Sequence, residues 1–501
     1  MKLNVYCDKL EDLKADAVVI FNEKGRVAVR GLEGEINKMV DGLVAQMFET
    51  GEFESGQDQF MYFHTFDKSK NVGRVALVGY DLGKEVTLNP LRSAAARAVK
   101  SLRDVGLKKI ALIMPNVREW SMPDSSRAVV EGALLGLYRF EKYLEQKAGK
   151  NLTEIILVGE SKDRRTLEKA ILLGELEASG VMLARDVGNE PSNVLTPKNF
   201  ASIIKKMMQK VKINTKVLDE TEIKKEGMGC LYGVGKGSAN PPQLVVMNYQ
   251  AGTKYPTVGV VGKGITFDSG GVNIKAGDAG GWQLFNMKKD MGGAGAVLGL
   301  LYILGQLQPK INVVAALPLA ENMVSGNSYK PGDILVSYCG KSVEIFHTDA
   351  EGRLVMVDAM SYLQDKHKLD YLVDIATLTG GMLRAVGPRF MGVMGNDSRL
   401  MERTKKAGLM AGEEMIEFPL YEGYRSRVKS KFADTKNISY KGPETMTSGL
   451  FLNEFVEDGV KWVHLDMASL ASHDGEGTYF TRGATGAGVR TLAHLILGMG
   501  K

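Results

Sequence analysis

The chain has 501 residues, of which 44% are hydrophobic and 25% are charged, so it has the composition of a globular protein with apolar material for two to four domains. The net charge of +5 is too small to demand an anionic partner such as nucleic acid. Three widely separated cysteines, Cys7, Cys230 and Cys339, form no CxxC pair, which argues against a disulfide framework or a structural zinc ribbon. We therefore expect reduced thiols and a cytoplasmic protein.

The N-terminal segment, MKLNVYCDKLEDLKAD, contains acidic residues from position 8 onwards and no apolar stretch of signal-peptide length. Elsewhere, no stretch approaches the ~20 apolar residues that a membrane-spanning helix needs. The sequence thus predicts neither a secretion signal nor a membrane partner.

The first third of the chain alternates strand-like and helix-like segments. Strands are predicted at residues 17–21, 74–80, 109–114 and 153–158, and helices at residues 90–105, 126–147 and 164–185. Asn89 is the expected N-cap of the first helix, with Pro90 at its first position. Strands alternating with helices of this length predict a mostly parallel α/β sheet.

A polar cluster around Pro191 ends the long third helix and indicates a domain boundary. After it the α/β alternation resumes. Apolar, β-branched runs predict strands covered on both faces at residues 244–247, 257–261, 311–317 and 371–375.

The segment GKGITFDSGG, residues 262–271, begins where the strand 257–261 ends. Sites in open α/β sheets form at the carboxyl ends of strands, so Lys263 and Asp268 are well placed for one. The surrounding glycines let the backbone approach a bound group closely. The alternative is a glycine-rich turn that carries a surface lysine and an Asx turn.

The segment HTDAEGR, residues 347–353, lies between a predicted strand at 342–346 and a predicted helix at 354–363. The two-residue spacing of Asp349 and Glu351 directs both carboxylates to the same side in extended or turn geometry. Such neighbours disfavour each other's charge unless a cation compensates. Alternatively, they offset the dipole of a helix N-terminus, and Arg353 pairs with one of them.

Two further polar residues complete the set. Asp290 precedes an apolar helix predicted at residues 291–305 and could serve only as its N-cap, and Lys275 taken alone could be a solvated lysine. Together, four carboxylates, two lysines and an arginine indicate metal-assisted hydrolysis with two divalent cations, because oxygen-rich ligation suits Mg²⁺, Mn²⁺ or Zn²⁺. A lysine beside a dication can lose its proton and coordinate. None of the six histidines forms an HExxH pair.

At these residues the sequence resembles the leucyl aminopeptidase family of di-metal exopeptidases. The family's motifs occur in its order as GKGITFDSGG, Lys275, KKDMGGAG, ENMVSGNSYKPGDI, HTDAEGRL and DIATLTGG, preceded by ARDVGNEPSNVLTP and followed by FADTKN, HLDMA and GATGAGVRTL. The resemblance implies a smaller N-terminal α/β domain at 1–160, a linker helix at 161–188 and a larger α/β catalytic domain at 189–501. It also implies an aminopeptidase that releases leucine and other apolar N-terminal residues from short peptides.

The resemblance further implies a role for each site residue. Asp268 and Glu351 would bridge two ions (Mn²⁺ or Zn²⁺, with Co²⁺ and Mg²⁺ as alternatives), Lys263 and Asp290 would complete one site, and Asp349 the other. Lys275 and Arg353 would be catalytic, with a bicarbonate at Arg353. The substrate pocket would be formed by Met287, Thr377, Leu378, Gly380, Ala468 and Ala471. Members of the family form homohexamers, so we expect one here.

Two features depart from the family pattern. His347 stands where the acidic motif usually begins with asparagine, and residues 276–284, which include Trp282, are about four residues longer than usual. Neither departure removes a predicted ligand, so we expect an active enzyme. Ala471 could widen the pocket for bulkier side chains.

Two other functions are weaker alternatives. The segment from Gly233 to Ser238 is glycine-rich, but glycine follows its lysine where a phosphate-binding loop needs serine or threonine. A DNA-binding or regulatory role, as the main or a second function, is suggested by Arg425, Arg427, Lys429 and Lys431. Alternating basic residues of this kind more often form a solvated surface.

Overall fold

A computed structural model describes residues 1–26, 30–65, 71–83, 87–117, 120–146, 149–275, 282–439, 442–475 and 479–500. The chain divides into two compact units. The first comprises Met1–Ser179 and Asp474–Thr481, and the second comprises Gly180–His473 and Arg482–Lys501. Residues 276–281, which include most of the insertion noted above, lie outside the described residues.

The first unit contains a six-stranded sheet in the order β1-β6-β5-β2-β4-β3. All neighbouring strands are parallel except β3 and β4. The central strands are apolar and β-branched, and their burial on both faces matches the sequence prediction of a parallel α/β sheet. Their bounds are β1 Lys2–Tyr6, β2 Ala17–Glu23, β3 Phe60–His64, β4 Arg74–Tyr80, β5 Lys109–Ile113 and β6 Glu154–Val158.

Helices of the first unit follow its strands, with two differences from the sequence prediction. The helix predicted at 126–147 spans Met122–Gly136, because the Ser121 side chain caps it by accepting a hydrogen bond from Asp124 N. Asn89 is not an N-cap: it lies inside its helix, and its Oδ1 accepts a hydrogen bond from Tyr479. The bounds are α1 Gly31–Met39, α2 Leu43–Glu49, α3 Asn89–Asp104, α4 Met122–Gly136 and α5 Arg164–Asn189, the last of which continues into the second unit.

The second unit is built on a nine-stranded mixed sheet in the order β16-β15-β18-β14-β9-β11-β8-β7, with β10 pairing with β11. The strands at its centre, β18, β14, β9 and β11, are parallel to one another. Two smaller sheets accompany it, one of β12, β13 and β17 and one of β19 and β20. The strand bounds of the unit are β7 Asn214–Leu218, β8 Gln243–Tyr249, β9 Thr257–Gly262, β10 Gly264–Asp268, β11 Asn312–Asn322, β12 Ile334–Val336, β13 Ser342–Glu344, β14 Tyr371–Ala376, β15 Met391–Gly395, β16 Met415–Glu417, β17 Thr435–Lys436, β18 Lys461–Asp466, β19 Ser472–His473 and β20 Gly483–Ala484.

Two helices of the second unit, α10 and α11, pack against the central strands, and every residue of β11 is buried. The predicted both-face coverage of these strands is therefore correct for β11. The helix bounds are α6 Pro197–Lys210, α7 Glu220–Lys225, α8 Gly229–Gly235, α9 Trp282–Phe285, α10 Gly292–Leu307, α11 Gly352–Lys366, α12 Gly380–Val386, α13 Ser398–Ala411, α14 Glu444–Asn453 and α15 Val489–Met499.

One helical segment, Asn286–Leu307, is long and apolar enough to cross a membrane by length and composition. The sequence prediction that no stretch approaches that length was therefore too strict. Within the fold, however, 78% of the most apolar window of this segment is buried. This is the position of a core helix, whose apolar residues cover the sheet.

The first turn of α10 approaches β9 closely enough to require glycine. A Cβ on Gly293 would lie 2.1 Å from the Ile375 carbonyl oxygen and 2.8 Å from Lys263 N. Ala294 N donates a 2.8 Å hydrogen bond to the Lys263 carbonyl. This contact holds Asp290, just before the helix, beside Lys263, just after the strand.

We predict that Gly293→Ala lowers the thermal unfolding midpoint, because the added Cβ meets backbone atoms that cannot move aside; overpacking of this kind costs about 1–3 kcal/mol. Gly498→Ala is the matched control, since its Cβ would meet open space near the end of α15. That control should leave the midpoint unchanged or raise it slightly. Equal midpoints for Gly293→Ala and the wild-type protein in differential scanning fluorimetry would contradict the prediction.

Candidate metal centre

The candidate site lies at the carboxyl edge of the central strands. Strands β9 and β14 are parallel and in register, with Gly262 opposite Ile375, so the residues that follow each strand come together. Lys263 follows β9 and Thr377 follows β14, while Asp268 ends the neighbouring β10. Sheet topology therefore brings together residues that are more than a hundred positions apart.

Lys263 joins two of the predicted acidic residues. Its Nζ lies 2.8 Å from Asp290 Oδ2 and 2.9 Å from Glu351 Oε1, and it donates a 2.7 Å hydrogen bond to the Thr377 carbonyl. The lysine is only 3% exposed. Asp290 is therefore not the N-cap of α10, which was the alternative; its carboxylate faces the cluster.

Lys275 joins the other two acidic residues. Its Nζ lies 2.7 Å from Asp268 Oδ2 and 2.5 Å from Asp349 Oδ1. Carboxylate oxygens of Asp268, Asp349 and Glu351 all lie within 4.8 Å of one another, a spacing that could hold a metal ion. The structure thus brings the five predicted ligands and Lys275 into one cluster.

Arg353 lies buried next to this cluster. Its guanidinium donates a 2.8 Å hydrogen bond to the Asn437 carbonyl, and its Nε has no hydrogen-bond partner among the described residues. Burial lowers the pKa of Arg353, against the pull of nearby carboxylates. An arginine remains protonated under such conditions, so the site contains a buried positive charge suited to an anion.

Burial and mutual repulsion perturb the carboxylates. Burial raises the pKa of Asp290 to about 7, with Lys263 opposing the shift and Glu351 adding to it. Burial and the neighbouring Asp268 raise the pKa of Asp349 to about 8. For Lys263, burial lowers the pKa, but the surrounding carboxylates outweigh it and the net pKa is raised. The four acidic residues of the cluster therefore carry more negative charge than Lys263 and Lys275 neutralise.

The donor set fits divalent cations on two observations. Among the described residues, Asp290 Oδ2, Asp349 Oδ1 and Glu351 Oε2 are buried oxygens that accept no hydrogen bond of good geometry, although the first two lie within ion-pair distance of a lysine. Hard oxygen donors of this kind, with one amine, suit Mn²⁺, Mg²⁺ or Zn²⁺. Lys263 can ligate only as a neutral amine, so ion binding there would be coupled to loss of a proton.

Sequence reasoning did not identify the polar groups that hold these ligands. Asn322 Nδ2 donates 2.8 Å to Asp268 Oδ1 and 3.0 Å to the Thr348 carbonyl. Asn437 Nδ2 donates 2.7 Å to the His347 carbonyl. Both asparagines lie in motifs quoted above, ENMVSG and FADTKN, but nothing in those motifs indicates which backbone groups the amides contact.

His347, the departure from the family pattern, accepts a 3.2 Å hydrogen bond from Asp349 N at its Nδ1. Burial lowers the pKa of His347, and the Lys275 charge lowers it further. The ring is therefore neutral, as acceptance at Nδ1 requires. An asparagine side-chain oxygen could accept the same hydrogen bond, which explains why either residue can stand here.

For some of the predicted pocket residues the structure shows contacts with the cluster or with Asp466. Thr377 Oγ1 donates 2.6 Å to Asp290 Oδ1. Leu378 N and Ala468 N each donate 3.2 Å to one oxygen of Asp466. Met287 is half-buried, Gly380 is exposed and Ala471 is buried.

The basic segment that suggested nucleic-acid binding is largely paired with acids. Arg425 lies 2.8 Å from Glu422 and 2.5 Å from Glu454, and Lys429 lies 2.8 Å from Glu454. These ion pairs reduce the positive potential available to a phosphate backbone. The geometry therefore does not favour the nucleic-acid alternative.

Comparison with known proteins decides the family. The model described as "Cytosol aminopeptidase family, catalytic domain" matches residues 182–493, and the corresponding N-terminal domain matches residues 17–147. The chain belongs to the cytosol aminopeptidase family. It is accordingly a metal-dependent aminopeptidase, a hydrolase of peptide bonds, and its family uses two divalent metal ions. The predicted family, fold class and activity are confirmed.

Relatives match over their whole length. The chain is 37% identical over 508 residues to a probable cytosol aminopeptidase of Alkaliphilus oremlandii (strain OhILAs), with 100% of both chains covered. Among solved structures it is similar to the bottromycin maturation enzyme BotP in complex with Mn, with a TM-score of 0.85, 33% identity and coverage of 97% and 100% of the two chains. It is also similar to a mutant of tomato leucine aminopeptidase, with a TM-score of 0.87, 27% identity and coverage of 99% and 96%.

We predict that His347→Asn retains aminopeptidase activity, because the asparagine oxygen accepts the Asp349 N–H in place of Nδ1. His347→Leu removes the acceptor and should lower kcat/KM about tenfold, since an unsatisfied buried N–H costs ~1–3 kcal/mol. Steady-state hydrolysis of a leucine amide measures both variants. Equal loss in the two variants would show that the ring itself, and not its acceptor atom, is required.

Proposed function

We propose that this aminopeptidase releases leucine and other apolar N-terminal residues from short peptides, using two divalent ions held by Lys263, Asp268, Asp290, Asp349 and Glu351. The observation that carries the proposal is the convergence of these side chains around two lysine amines at one sheet edge. A structural role alone would not require so many buried or partly buried carboxylates in one cluster, because each costs desolvation energy.

The division of ligands follows the family resemblance. Lys263 and Asp290 would hold one ion, Asp349 would hold the other, and Asp268 and Glu351 would contribute to both. When bound, Mn²⁺ or Zn²⁺ (or Co²⁺ or Mg²⁺) supplies Lewis acidity that lowers the pKa of water and polarises a carbonyl. Burial favours the protonated forms of Asp290 and Asp349. Bound ions would instead stabilise the charged carboxylates of these two residues.

Lys275 and Arg353 are the catalytic pair in this proposal. The pKa of Lys275 is raised because surrounding carboxylates outweigh its burial, so the side chain is an ammonium. An ammonium at this edge can donate a hydrogen bond to the peptide carbonyl and stabilise the developing oxyanion. The buried Arg353 guanidinium would hold a bicarbonate, and when bound this anion would supply a group able to accept and donate protons near the scissile bond.

The pocket would receive the side chain of the first residue. Met287, Thr377, Ala468 and Ala471 are apolar or small, which suits aliphatic side chains. Leu378 N donates its hydrogen bond to Asp466, so it does not bind the substrate. The Leu378 carbonyl and the Gly380 N–H can instead orient the peptide backbone. This arrangement supports a preference for leucine-like residues.

Three broader features of the protein complete the proposal. We infer a homohexamer in the cytoplasm, as the family resemblance and the name of the family imply. Light scattering would show a particle six times the mass of the 54.6 kDa chain. We also retain the division into an N-terminal domain at 1–160, a linker helix at 161–188 and a catalytic domain at 189–501.

We predict that Asp290→Ala and Glu351→Ala each abolish hydrolysis of leucine amides and lower the bound-metal content below two ions per chain. The reason is loss of a ligand in a buried site that cannot replace it with water at equal strength. Metal analysis by inductively coupled plasma mass spectrometry and a fluorogenic leucine amide assay measure the two effects. Full activity in either variant, or in the wild-type enzyme after chelation, would refute the metal assignment.

We predict that Lys275→Ala retains two ions per chain but lowers kcat about 100-fold or more, as loss of an oxyanion donor does in other hydrolases. Lys330→Ala is the matched control, because this exposed lysine pairs only with Asp333 among the described residues. It should match the wild-type enzyme in both assays. If metal content falls in step with kcat in Lys275→Ala, then the lysine is part of ion binding and the division of roles is wrong.

A further inference from the structure

Asp466 is a buried carboxylate that is not one of the proposed metal ligands, and it contacts the segment 377–380 of the predicted pocket. Asp466 ends β18, directly opposite Ala376 of β14, so it sits one residue before the level of Thr377 at the same sheet edge. Its side chain is fully buried. The catalytic roles proposed above do not use it.

Asp466 holds two of the three chain segments that contribute to the predicted pocket. Its Oδ1 accepts hydrogen bonds from Leu378 N and Ala468 N, each at 3.2 Å, and its Oδ2 accepts a 2.7 Å hydrogen bond from Thr379 Oγ1. Thr379 Oγ1 also lies 3.0 Å from Thr445 Oγ1 in α14. One carboxylate therefore fixes the 377–380 segment relative to residue 468.

The same segment is held on its other side by the ligand cluster. Lys263 Nζ donates to the Thr377 carbonyl, and Thr377 Oγ1 donates to Asp290 Oδ1. Between these two anchors lies the peptide unit of Leu378, whose carbonyl is the proposed contact for substrate. A displacement of this segment would move the substrate relative to the ions without removing any ligand.

Asp374 and His464 form a buried pair on β14 and β18, two residues before the level of Asp466. Asp374 Oδ1 lies 2.5 Å from His464 Nδ1, and Asp374 Oδ2 accepts a 2.6 Å hydrogen bond from Trp462 Nε1. Burial lowers the pKa of His464, but the Asp374 carboxylate outweighs it and the net pKa is raised. His464 is two residues before Asp466 on the same face of β18. Burial raises the pKa of Asp466, and His464 opposes this shift.

We propose that Asp466 is a positioning residue for catalysis: through Leu378 N, Thr379 Oγ1 and Ala468 N it sets the geometry of the pocket that selects the first residue of the peptide. This inference rests on the proposed pocket. It concerns substrate orientation and selectivity at constant metal content, and it assigns no chemistry to Asp466 itself.

The test compares Asp466→Ala and Asp466→Asn with wild-type enzyme. The assay measures kcat and KM for fluorogenic amides of leucine, methionine, phenylalanine and alanine, alongside bound metal. For Asp466→Ala we expect two ions per chain, a fall of about tenfold or more in kcat/KM for the leucine amide, and a narrower leucine-to-alanine ratio, because small misplacements of a substrate are costly. Asp466→Asn retains Oδ1 and should restore much of the selectivity.

Asp358→Asn is the matched control for loss of a buried charge. Asp358 is also fully buried in the second unit and accepts 2.8 Å hydrogen bonds from two backbone groups, Leu231 N and Tyr338 N, away from the site. Asparagine keeps one accepting oxygen, so Asp358→Asn removes the charge and one of these two backbone hydrogen bonds. This control should keep the wild-type KM values and selectivity even if its thermal unfolding midpoint differs from that of the wild-type enzyme.

Two results would overturn the proposal. One is an unchanged leucine-to-alanine ratio and unchanged KM values in Asp466→Ala; the other is the same selectivity change in Asp358→Asn. If Asp466→Ala does not fold, Thr379→Val decides, because it removes one of the three hydrogen bonds with little change of shape. Unchanged selectivity in Thr379→Val would then overturn the proposal, and a smaller shift in the same direction would support it.

These outcomes are distinguishable from failure of the proposed function. That failure would appear as retained metal or retained activity in Asp290→Ala or Glu351→Ala. The Asp466 comparison is made between proteins of equal metal content, so its result depends only on how the pocket is held.

Discussion

The second unit depends on one electrostatic constraint, the gathering of four carboxylates, three of them buried and Asp349 partly buried, around two lysine amines. Moving a single carboxylate out of water costs several kcal/mol after relaxation, and mutual repulsion adds to this cost. Lys263 and Lys275 each lie within 3 Å of two carboxylates and offset part of this cost. The pKa values of Asp290 and Asp349 are nevertheless raised, so the two lysines do not fully compensate the negative charge of the cluster.

Close backbone approach is the second constraint, and it follows from the first. To bring the carboxylates together, helix α10 must lie against β9 and helix α11 must begin beside Lys263. A Cβ on Gly352 would lie 2.4 Å from Lys263 Cε, and one on Gly293 would meet the Ile375 carbonyl. The glycines of these motifs are therefore needed for the placement of ligands, and they need no contact with an ion or a substrate.

The parts of the site that the sequence predicted are those in which residue type and chemistry are tied together. Only a few side chains ligate hard cations, so the sequence pattern identified Asp268, Asp349 and Glu351 after strands and Asp290 before a helix. The supports did not, because Asn322 and Asn437 act on backbone carbonyls from distant positions, a contact that no local pattern encodes. The helix predicted at 126–147 was misplaced for a related reason: its start depends on the Ser121 cap, and apolar residues beyond Gly136 continue a helical pattern without continuing the helix.

Asp358 and Asp466 show why burial alone does not reveal a role. Both are fully buried carboxylates that accept backbone N–H groups, and both pKa values are raised by burial. They differ in what they hold. Asp358 fixes the start of α8 and the turn after β12, which pack into the core, whereas Asp466 fixes a segment whose other side touches the ligands. A small movement at the first position is absorbed by packing, but at the second it changes the distance between a peptide and the groups that cleave it. The role of such a carboxylate therefore depends on which segment it holds and on whether that segment contacts the ligands and the substrate, and not on its chemistry.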